Sequence, residues 1–168
     1  MQQYREEENN MKKRILTAVL AAALVTGTCA ATVSAKEEKT YTVGICQLVQ
    51  HDALDAATKG FEDAITEKMG DSVKFDEQNA QGDSNTCSTI INSFVSEGAD
   101  LILANATASL QAAAAGTSDI PILGTAVTEY GVALGIDDFD GTVGGNISGT
   151  SDLAPLDEQA DMLHELFP

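Results

Sequence analysis

Residues 41–70, YTVGICQLVQHDALDAATKGFEDAITEKMG, decide the fold because they place a strand, a polar loop and an amphipathic helix in succession. The opening run YTVGIC is rich in the β-branched, aromatic and apolar residues that are typical of a buried strand. Apolar residues then recur at helical spacing from Leu54 to Ile65, and Asp52 can cap the start of that helix. Gly70 stands where a left-handed cap would end it. The stretch therefore predicts the first half of a βαβ unit.

The rest of the chain continues this alternation of strands and helices. Further strands are predicted at residues 72–78, 100–104, 120–125 and 132–136. Helices are predicted between Asp83 and Gly98, over residues 107–115, and from Pro155 onward. The Gly-rich and Asp-rich residues 137–151 are expected to form a loop. This order predicts an α/β fold with an open, parallel, five-stranded sheet and helices on both faces, of the Rossmann or flavodoxin-like type.

The N-terminal segment predicts export. A basic MKKR at residues 11–14 precedes an apolar run at residues 15–25, which is too short for a transmembrane helix. Val-Ser-Ala at residues 33–35 suits signal peptidase, so residues 1–35 are interpreted as an extension plus a signal peptide. Lipidation at Cys29 is the alternative, but Thr28 before it is a poor fit to a lipoprotein signal. Either route places the protein on the outer side of a bacterial cytoplasmic membrane.

The charge of the chain argues against two classes of partner, and its cysteines fall at positions that favour burial. The formal net charge is −17, and no Lys or Arg follows Lys74. Without a basic patch, nucleic acid lacks its main electrostatic attraction, and anionic membrane surfaces are equally poor partners. Cys46 and Cys87 both fall at apolar positions, and we expect them to be buried as small hydrophobic residues rather than joined in a disulfide.

Signals for an enzyme are weak. The two histidines, His51 and His164, have no ligand-like spacing to each other or to the cysteines, so a metal site is not expected. The sequence contains neither a G-x-S-x-G elbow nor a G-x-x-x-x-G-K-[ST] loop. The Gly-rich residues 141–149 follow the last predicted strand and lack a following Lys. We therefore predict no enzyme activity and no cofactor.

Polar residues follow each of the first four predicted strands. In open parallel sheets, ligands bind beyond the carboxyl ends of the strands, so these residues form the candidate rim of a site. The rim consists of Gln47, His51, Asp55, Gln78, Asn79, Gln81, Asn105, Ala106, Thr107, Thr125, Thr128 and Glu129. Such groups suit a small polar solute such as an amino acid. Its carboxylate can bind N–H groups at a helix N-terminus, and Asp55 or Glu129 can bind its ammonium group. For each rim residue, a cap or a turn former is the competing interpretation.

Four stretches carry a resemblance to a known family. They are GICQLVQHDALDAATKGFEDAI (residues 44–65), NAQGDSNT (79–86), ILANATASLQAAAA (102–115) and GGNISGTSDLAP (144–155). In this order they resemble the ABC transporter substrate-binding proteins of the type that includes tryptophan and tyrosine binders. The resemblance covers residues 41–168. Where that family reads T-D-P after the fourth strand, this chain has Thr128-Glu129-Tyr130, so Tyr130 is expected to stack on a ligand or to cover the sheet edge.

The resemblance implies a lobe of the type I periplasmic-binding-protein fold. Residues 36–150 would be the N-terminal lobe, and residues 151–168 the hinge and first helix of a truncated second lobe. The implied function is the extracytoplasmic solute-binding component of an ABC importer, with its permease as partner. It would bind a small polar solute, such as an aromatic amino acid, in a cleft that closes between two lobes. The alternatives are an inactive fragment of a split solute-binding-protein gene and an exported flavodoxin-like enzyme or cofactor-binding domain.

Overall fold

The strands of residues 39–167, the part of the chain that the computed structural model describes, pair into one parallel sheet. Every pairing between neighbouring strands is parallel, and the spatial order is β2-β1-β3-β4-β5. The strands are β1 (Tyr41–Gln47), β2 (Val73–Asn79), β3 (Leu101–Asn105), β4 (Ile122–Val127) and β5 (Ile147–Ser151). The predicted α/β class and the parallel five-stranded sheet are therefore confirmed. The predicted signal peptide at residues 1–35, with Cys29, lies outside the described residues.

Helices cover both faces of the sheet, as predicted. They are α1 (Asp52–Met69), α2 (Ser84–Glu97), α3 (Thr107–Gly116), α4 (Tyr130–Leu134) and α5 (Leu156–Leu166). On one face, Phe61 and Ile65 of α1 pack against the cluster that contains Ile45 of β1. On the other face, residues from α2, α3 and α4 pack with β3 and β4, with Phe94 and Leu110 among the fully buried side chains. None of the helices in residues 39–167 is long and apolar enough to cross a membrane.

The fifth strand lies elsewhere than the sequence predicts. Residues 132–136, predicted as a strand, instead belong largely to α4, and β5 lies within the predicted loop. The short helix forms because the Glu129 carboxylate accepts hydrogen bonds from the first N–H groups, and because Gly135 ends the helix at a left-handed φ of 65°. In turn, β5 is held by pairing with β4 and by the Tyr130 hydroxyl, which donates to the carbonyl oxygen of Thr150 at 3.2 Å. Local caps therefore decide α4, and tertiary pairing decides β5.

The first helix also begins differently from the prediction. His51, not Asp52, is the N-cap of α1, and its Nδ1 accepts from the N–H of Ala53 at 3.2 Å. Asp52 is the first helical residue. At the other end, Gly70 has φ 53° and ψ −131°, so it ends the helix outside the left-handed helical region. Asp83, by contrast, caps α2 directly before the helix and accepts from the N–H of Thr86 at 2.6 Å.

The two cysteines of the described chain are free and buried, as predicted. Cys46 of β1 and Cys87 of α2 each lie 3.6 Å, sulfur to oxygen, from the Ser109 hydroxyl of α3. All three side chains are fully buried in the core between the sheet and these helices. Burial raises the pKa of the Cys46 thiol to about 12, so this thiol is protonated at neutral pH.

The strand order fixes where a ligand can enter. The chain passes from β1 to β2 on one side and then to β3 on the other side of β1. The loops that leave β1 and β3 therefore diverge, and they open a crevice at the carboxyl ends of these two strands. In open α/β sheets this switch point is the usual binding site. It brings together residues 47–55 and residues 105–107.

Candidate functional site

Two amide side chains end the strands at the switch point. Gln47 is the last residue of β1, Asn105 is the last residue of β3, and the two are paired in register. Their side chains are almost completely buried, with exposed fractions of 1% and 0%. The structure thus brings these predicted rim residues together, but it places them beneath the surface that a ligand would touch.

A threonine on α1 joins the two amides. The Thr58 hydroxyl donates to Gln47 Oε1 at 2.7 Å and accepts from Asn105 Nδ2 at 2.9 Å. Asn105 Nδ2 also donates to the carbonyl oxygen of Leu54 at 2.9 Å. Sequence reasoning missed Thr58. The available signal was its position three residues after Asp55, which places both side chains on the same side of the helix.

Asp55 lies at the edge of this network and is half-buried. Its Oδ1 accepts from Gln47 Nε2 at 2.5 Å and, more weakly, from the backbone N–H of His51 at 3.4 Å. His51 itself is exposed and caps α1 through Nδ1. The hydrogen bonds that the structure gives to Asp55 therefore engage one carboxylate oxygen, while Oδ2 has none within residues 39–167.

The start of α3 has an unusual backbone. Ala106, the N-cap residue, has φ 88° and ψ 162°, a region that residues with a side chain rarely adopt. Its N–H donates to the carbonyl oxygen of Thr125 at 3.0 Å, which ties the turn to β4. No side chain caps the helix, so its first N–H groups, beginning at the exposed Thr107, are available to an anion.

The predicted rim at the end of β2 divides into two parts. Asn79 and Gln81 are exposed and, with Val49 and Gln50, line an open hollow of about 380 Å³. Asn79 Oδ1 accepts from the N–H of Gln81 at 2.8 Å, so Asn79 also shapes the turn. The amide of Gln78 donates to the carboxylate of Asp76 at 3.2 Å and does not line this hollow.

The predicted rim at the end of β4 is largely engaged in local structure. Both carboxylate oxygens of Glu129 cap α4, accepting from the N–H groups of residues 131 and 132 at 2.9 and 2.6 Å. Thr125 Oγ1 lies 3.5 Å from the Thr150 hydroxyl, and the Thr128 carbonyl oxygen accepts from Ser151. Tyr130 is buried and bonded to β5, so of its two predicted roles the structure supports the cover of the sheet edge.

A larger hollow, of about 700 Å³, lies away from the switch point. It is lined by the start of α4, by parts of residues 139–144 and by β5, with Phe139, Val143 and Leu153 among its apolar walls. Among residues 39–167, Glu129 is the one charged residue that lines it, and that carboxylate already caps α4. The switch point instead combines an open helix N-terminus with a carboxylate. We therefore take the switch point as the candidate site, although the hollow beside it, at the ends of β1 and β2, is the smaller one.

No three His, Cys, Asp or Glu side chains within residues 39–167 are grouped so that they could hold a metal ion. The candidate site offers hydrogen-bond donors from a helix, one carboxylate and neutral side chains. Such a set can hold a small molecule that carries both a negative and a positive group.

Comparison with known proteins gives a consistent result. A family model described as "ABC transporter substrate binding protein" matches residues 42–168. A tyrosine-binding protein from Clostridioides difficile (strain R20291) is 45% identical over 134 residues, which make up 78% of this chain and 39% of that protein.

Solved structures agree with this match. A ligand-free, open substrate-binding protein with adhesive properties from Clostridium difficile has a TM-score of 0.68 and 42% identity, over 75% of this chain and 43% of that chain. An ABC domain in complex with L-Trp from Streptococcus pneumoniae has a TM-score of 0.67 and 32% identity, over 74% of this chain and 43% of that chain. A conserved domain protein from Vibrio cholerae has a TM-score of 0.70 and 34% identity, over 77% of this chain and 45% of that chain. The chain thus spans less than half the length of each of these relatives.

Proposed function

Because the chain belongs to the family of ABC transporter substrate-binding proteins, we propose that its α/β unit supplies one wall of a cleft that binds an aromatic L-amino acid. The observation that carries this proposal is the pairing of an uncapped helix N-terminus with a carboxylate at one switch point. These two features match the carboxylate and the ammonium group of a free amino acid. The names of the relatives, a tyrosine-binding protein and a domain in complex with L-Trp, favour an aromatic side chain.

The carboxylate of the ligand binds at the start of α3. The N–H groups of the first turn carry partial positive charge, and the Thr107 hydroxyl adds another donor. This arrangement needs no arginine, which is consistent with the absence of any Lys or Arg after Lys74. The backbone of Ala106 holds a conformation that costs free energy, and such strain is common where a backbone is shaped for a ligand.

The ammonium group binds Asp55. Its Oδ1 is held by Gln47, and its Oδ2 can face the ligand. Glu129, the other carboxylate that the sequence suggested for this role, is committed to α4 by two hydrogen bonds. Asn79 and Gln81 line the neighbouring hollow and would contact the remainder of the solute.

Further chain completes the cleft. The relatives are more than twice as long as the stretch matched here, and α5 exposes Leu156, Met162 and Leu163, which suggests that a further part of the protein packs on them. In this proposal, residues 36–150 form the N-terminal lobe and residues 151–168 lead into a second lobe that closes over the ligand. The 168-residue chain alone should then bind only weakly, with a Kd of ~1–10 mM, which a titration can still measure.

The family match also supports the biological role that we propose. Residues 1–35 direct export, and the loaded protein presents its solute to the permease of an ABC importer. The family is one of substrate-binding proteins.

A binding experiment tests this proposal. L-Tryptophan is titrated into the 168-residue chain and into two variants, with ligand NMR signals as the readout. Asp55→Asn should raise the Kd about tenfold, because one charge-assisted hydrogen bond is lost. Asp52→Asn is the matched control, since this exposed acid lies on the same first turn of α1, and it should change the Kd less than twofold. Equal effects of the two variants, or no saturable binding by the unmodified chain, would contradict the proposal.

A further inference from the structure

Three buried polar side chains at the switch point form one hydrogen-bonded network. Within residues 39–167, the buried polar side chains are those of Gln47, Thr58, Asn105 and Ser109, and the first three contact one another. Burial of a polar group is unfavourable unless it is hydrogen-bonded, so such networks restrict side-chain orientation strongly. The network therefore has a defined arrangement, and the direction of each hydrogen bond can be derived.

The single proton of Thr58 sets the direction of the bonds. The hydroxyl donates to Gln47 Oε1 at 2.7 Å, so its oxygen is left to accept from Asn105 Nδ2 at 2.9 Å. Because Oε1 of Gln47 faces Thr58, its Nε2 faces the opposite way, where it donates to the Val49 carbonyl oxygen at 3.1 Å and to Asp55. If the Gln47 amide were flipped, its oxygen would face the Val49 carbonyl oxygen and the Asp55 carboxylate, which are both acceptors. Its NH₂ group would face the hydroxyl proton of Thr58.

This orientation reaches the carboxylate of Asp55. Gln47 Nε2 holds Oδ1 at 2.5 Å, and the backbone N–H of His51 donates to the same oxygen at 3.4 Å. One oxygen is thus fixed from inside the protein while the other can meet a ligand. A carboxylate fixed in advance loses less conformational freedom on binding than a mobile one does.

The other branch of the network reaches the start of α3. Asn105 Nδ2 donates to Thr58, to the Leu54 carbonyl oxygen and, more weakly at 3.4 Å, to Gln47 Oε1, whereas Asn105 Oδ1 is buried without a hydrogen-bond partner. The amide keeps this orientation because a flip would replace these donated bonds with contacts between oxygen atoms. Asn105 directly precedes the strained Ala106, so the network anchors the backbone just before the open helix N-terminus.

We propose that Thr58 is a positioning residue for ligand selectivity: it orients Gln47, and through Gln47 it holds Asp55 for the ammonium group of the solute. This inference rests on the proposed function. Thr58 does not contact the ligand. Its effect is largest at the ammonium group, because Asn105 on the other branch keeps its hydrogen bond to the Leu54 carbonyl oxygen when the Thr58 hydroxyl is removed. It should therefore change the preference for an amino acid over the same molecule without its amine.

The test compares two ligands and three Thr58 variants. The Kd of L-tryptophan and of 3-(indol-3-yl)propanoate, which lacks the amine, is measured by NMR titration of the 168-residue chain. Thr58→Val keeps the shape and removes the hydroxyl, Thr58→Ala removes it without adding bulk, and Thr58→Ser retains it. In Thr58→Val and Thr58→Ala the preference for L-tryptophan should fall about tenfold, whereas Thr58→Ser should keep at least half of it.

A double-mutant cycle separates positioning from a structural role. In an Asp55→Asn background, Thr58→Val should cause no further loss of preference, because the group through which Thr58 acts is already neutral. Urea unfolding of each variant is measured in parallel. A purely structural Thr58 would lower stability but leave the ratio of the two Kd values unchanged, and that result would overturn the inference. Failure of both Thr58→Val and Thr58→Ala to fold would overturn it as well.

The same measurements distinguish a failure of the proposed ammonium site from a failure of the proposed role of Thr58. If the unmodified chain shows no preference for L-tryptophan over the analogue without an amine, the ammonium site itself is refuted. If that preference exists and is lost in Asp55→Asn but is retained in Thr58→Val, only the positioning role of Thr58 is refuted.

Discussion

The backbone of Ala106 gives the sharpest test of how the site is built. Its φ of 88° and ψ of 162° lie in a region that glycine adopts freely and alanine does not. Strain of this kind costs ~1–3 kcal/mol. In Ala106→Gly this strain is relieved, but the unfolded chain gains flexibility worth ~0.5–1 kcal/mol. We therefore expect the variant to be more stable than the original chain by ~1 kcal/mol.

The assay is urea unfolding followed by far-UV circular dichroism. With a typical slope of ~2 kcal/mol per M, the midpoint of Ala106→Gly should rise by ~0.5 M. Ala115→Gly is the matched control, since Ala115 is an exposed position of the same helix. There the same substitution should lower stability by ~0.5–1 kcal/mol, because the alanine is unstrained. Two variants that are destabilised to the same extent would refute the claim that Ala106 is strained.

Three further predictions concern packing, pH and capping. Gly44→Ala should lower the free energy of unfolding by ~1–3 kcal/mol, since its Cβ would lie 2.6 Å from the Phe94 ring, and unchanged urea unfolding would contradict this packing. Burial raises the pKa of the Cys46 thiol from 9.0 to about 12, so the contribution of this thiol to stability is complete below pH 9 and is lost as the pH rises toward 12. Cys46→Ala should therefore make the free energy of unfolding depend less on pH between pH 8 and pH 11. An equal pH dependence in the variant and the original chain would argue against this prediction. Glu129→Ala should lower stability by ~1 kcal/mol through loss of the α4 cap while the Kd for L-tryptophan stays the same, so weakened binding would show instead that Glu129 contacts the ligand.

The central strands could be predicted from the sequence because they are buried on both faces. Such strands carry short runs of apolar and β-branched residues, as in LILAN of β3, where four of the five residues are buried. The fifth strand gave no such signal. Its sequence, ISGTS, is mostly exposed at the edge of the sheet, and it is held by β4 and the Tyr130 hydroxyl. Those partners are known only once the chain has folded.

The short helix α4 lies where the sequence predicts a strand. Val132, Leu134 and Ile136 alternate as in a strand, and this pattern favoured the wrong element. The decisive residues flank the run, because Glu129 caps the helix start and Gly135 ends the helix. In a helix of only five residues, the capping residues at the two ends decide the structure more than the spacing of the apolar residues does.

The location of the candidate site could be predicted, but the roles of its side chains could not. The carboxyl ends of parallel strands meet at one edge, so polar residues after each strand mark that edge. Whether Gln47 and Asn105 face a ligand or the interior depends on Thr58, which is 11 residues from one and 47 from the other. A single sequence does not reveal that contact.

Mapping the bound amino acid on the protein tests the central claim most directly. In a titration of the ¹⁵N-labelled 168-residue chain with L-tryptophan, we predict that the largest amide shifts occur at Thr107 and Ala108, with a second group around Asp55. Shifts confined to the larger hollow at residues 139–149, or no saturable shifts at any amide, would contradict the account.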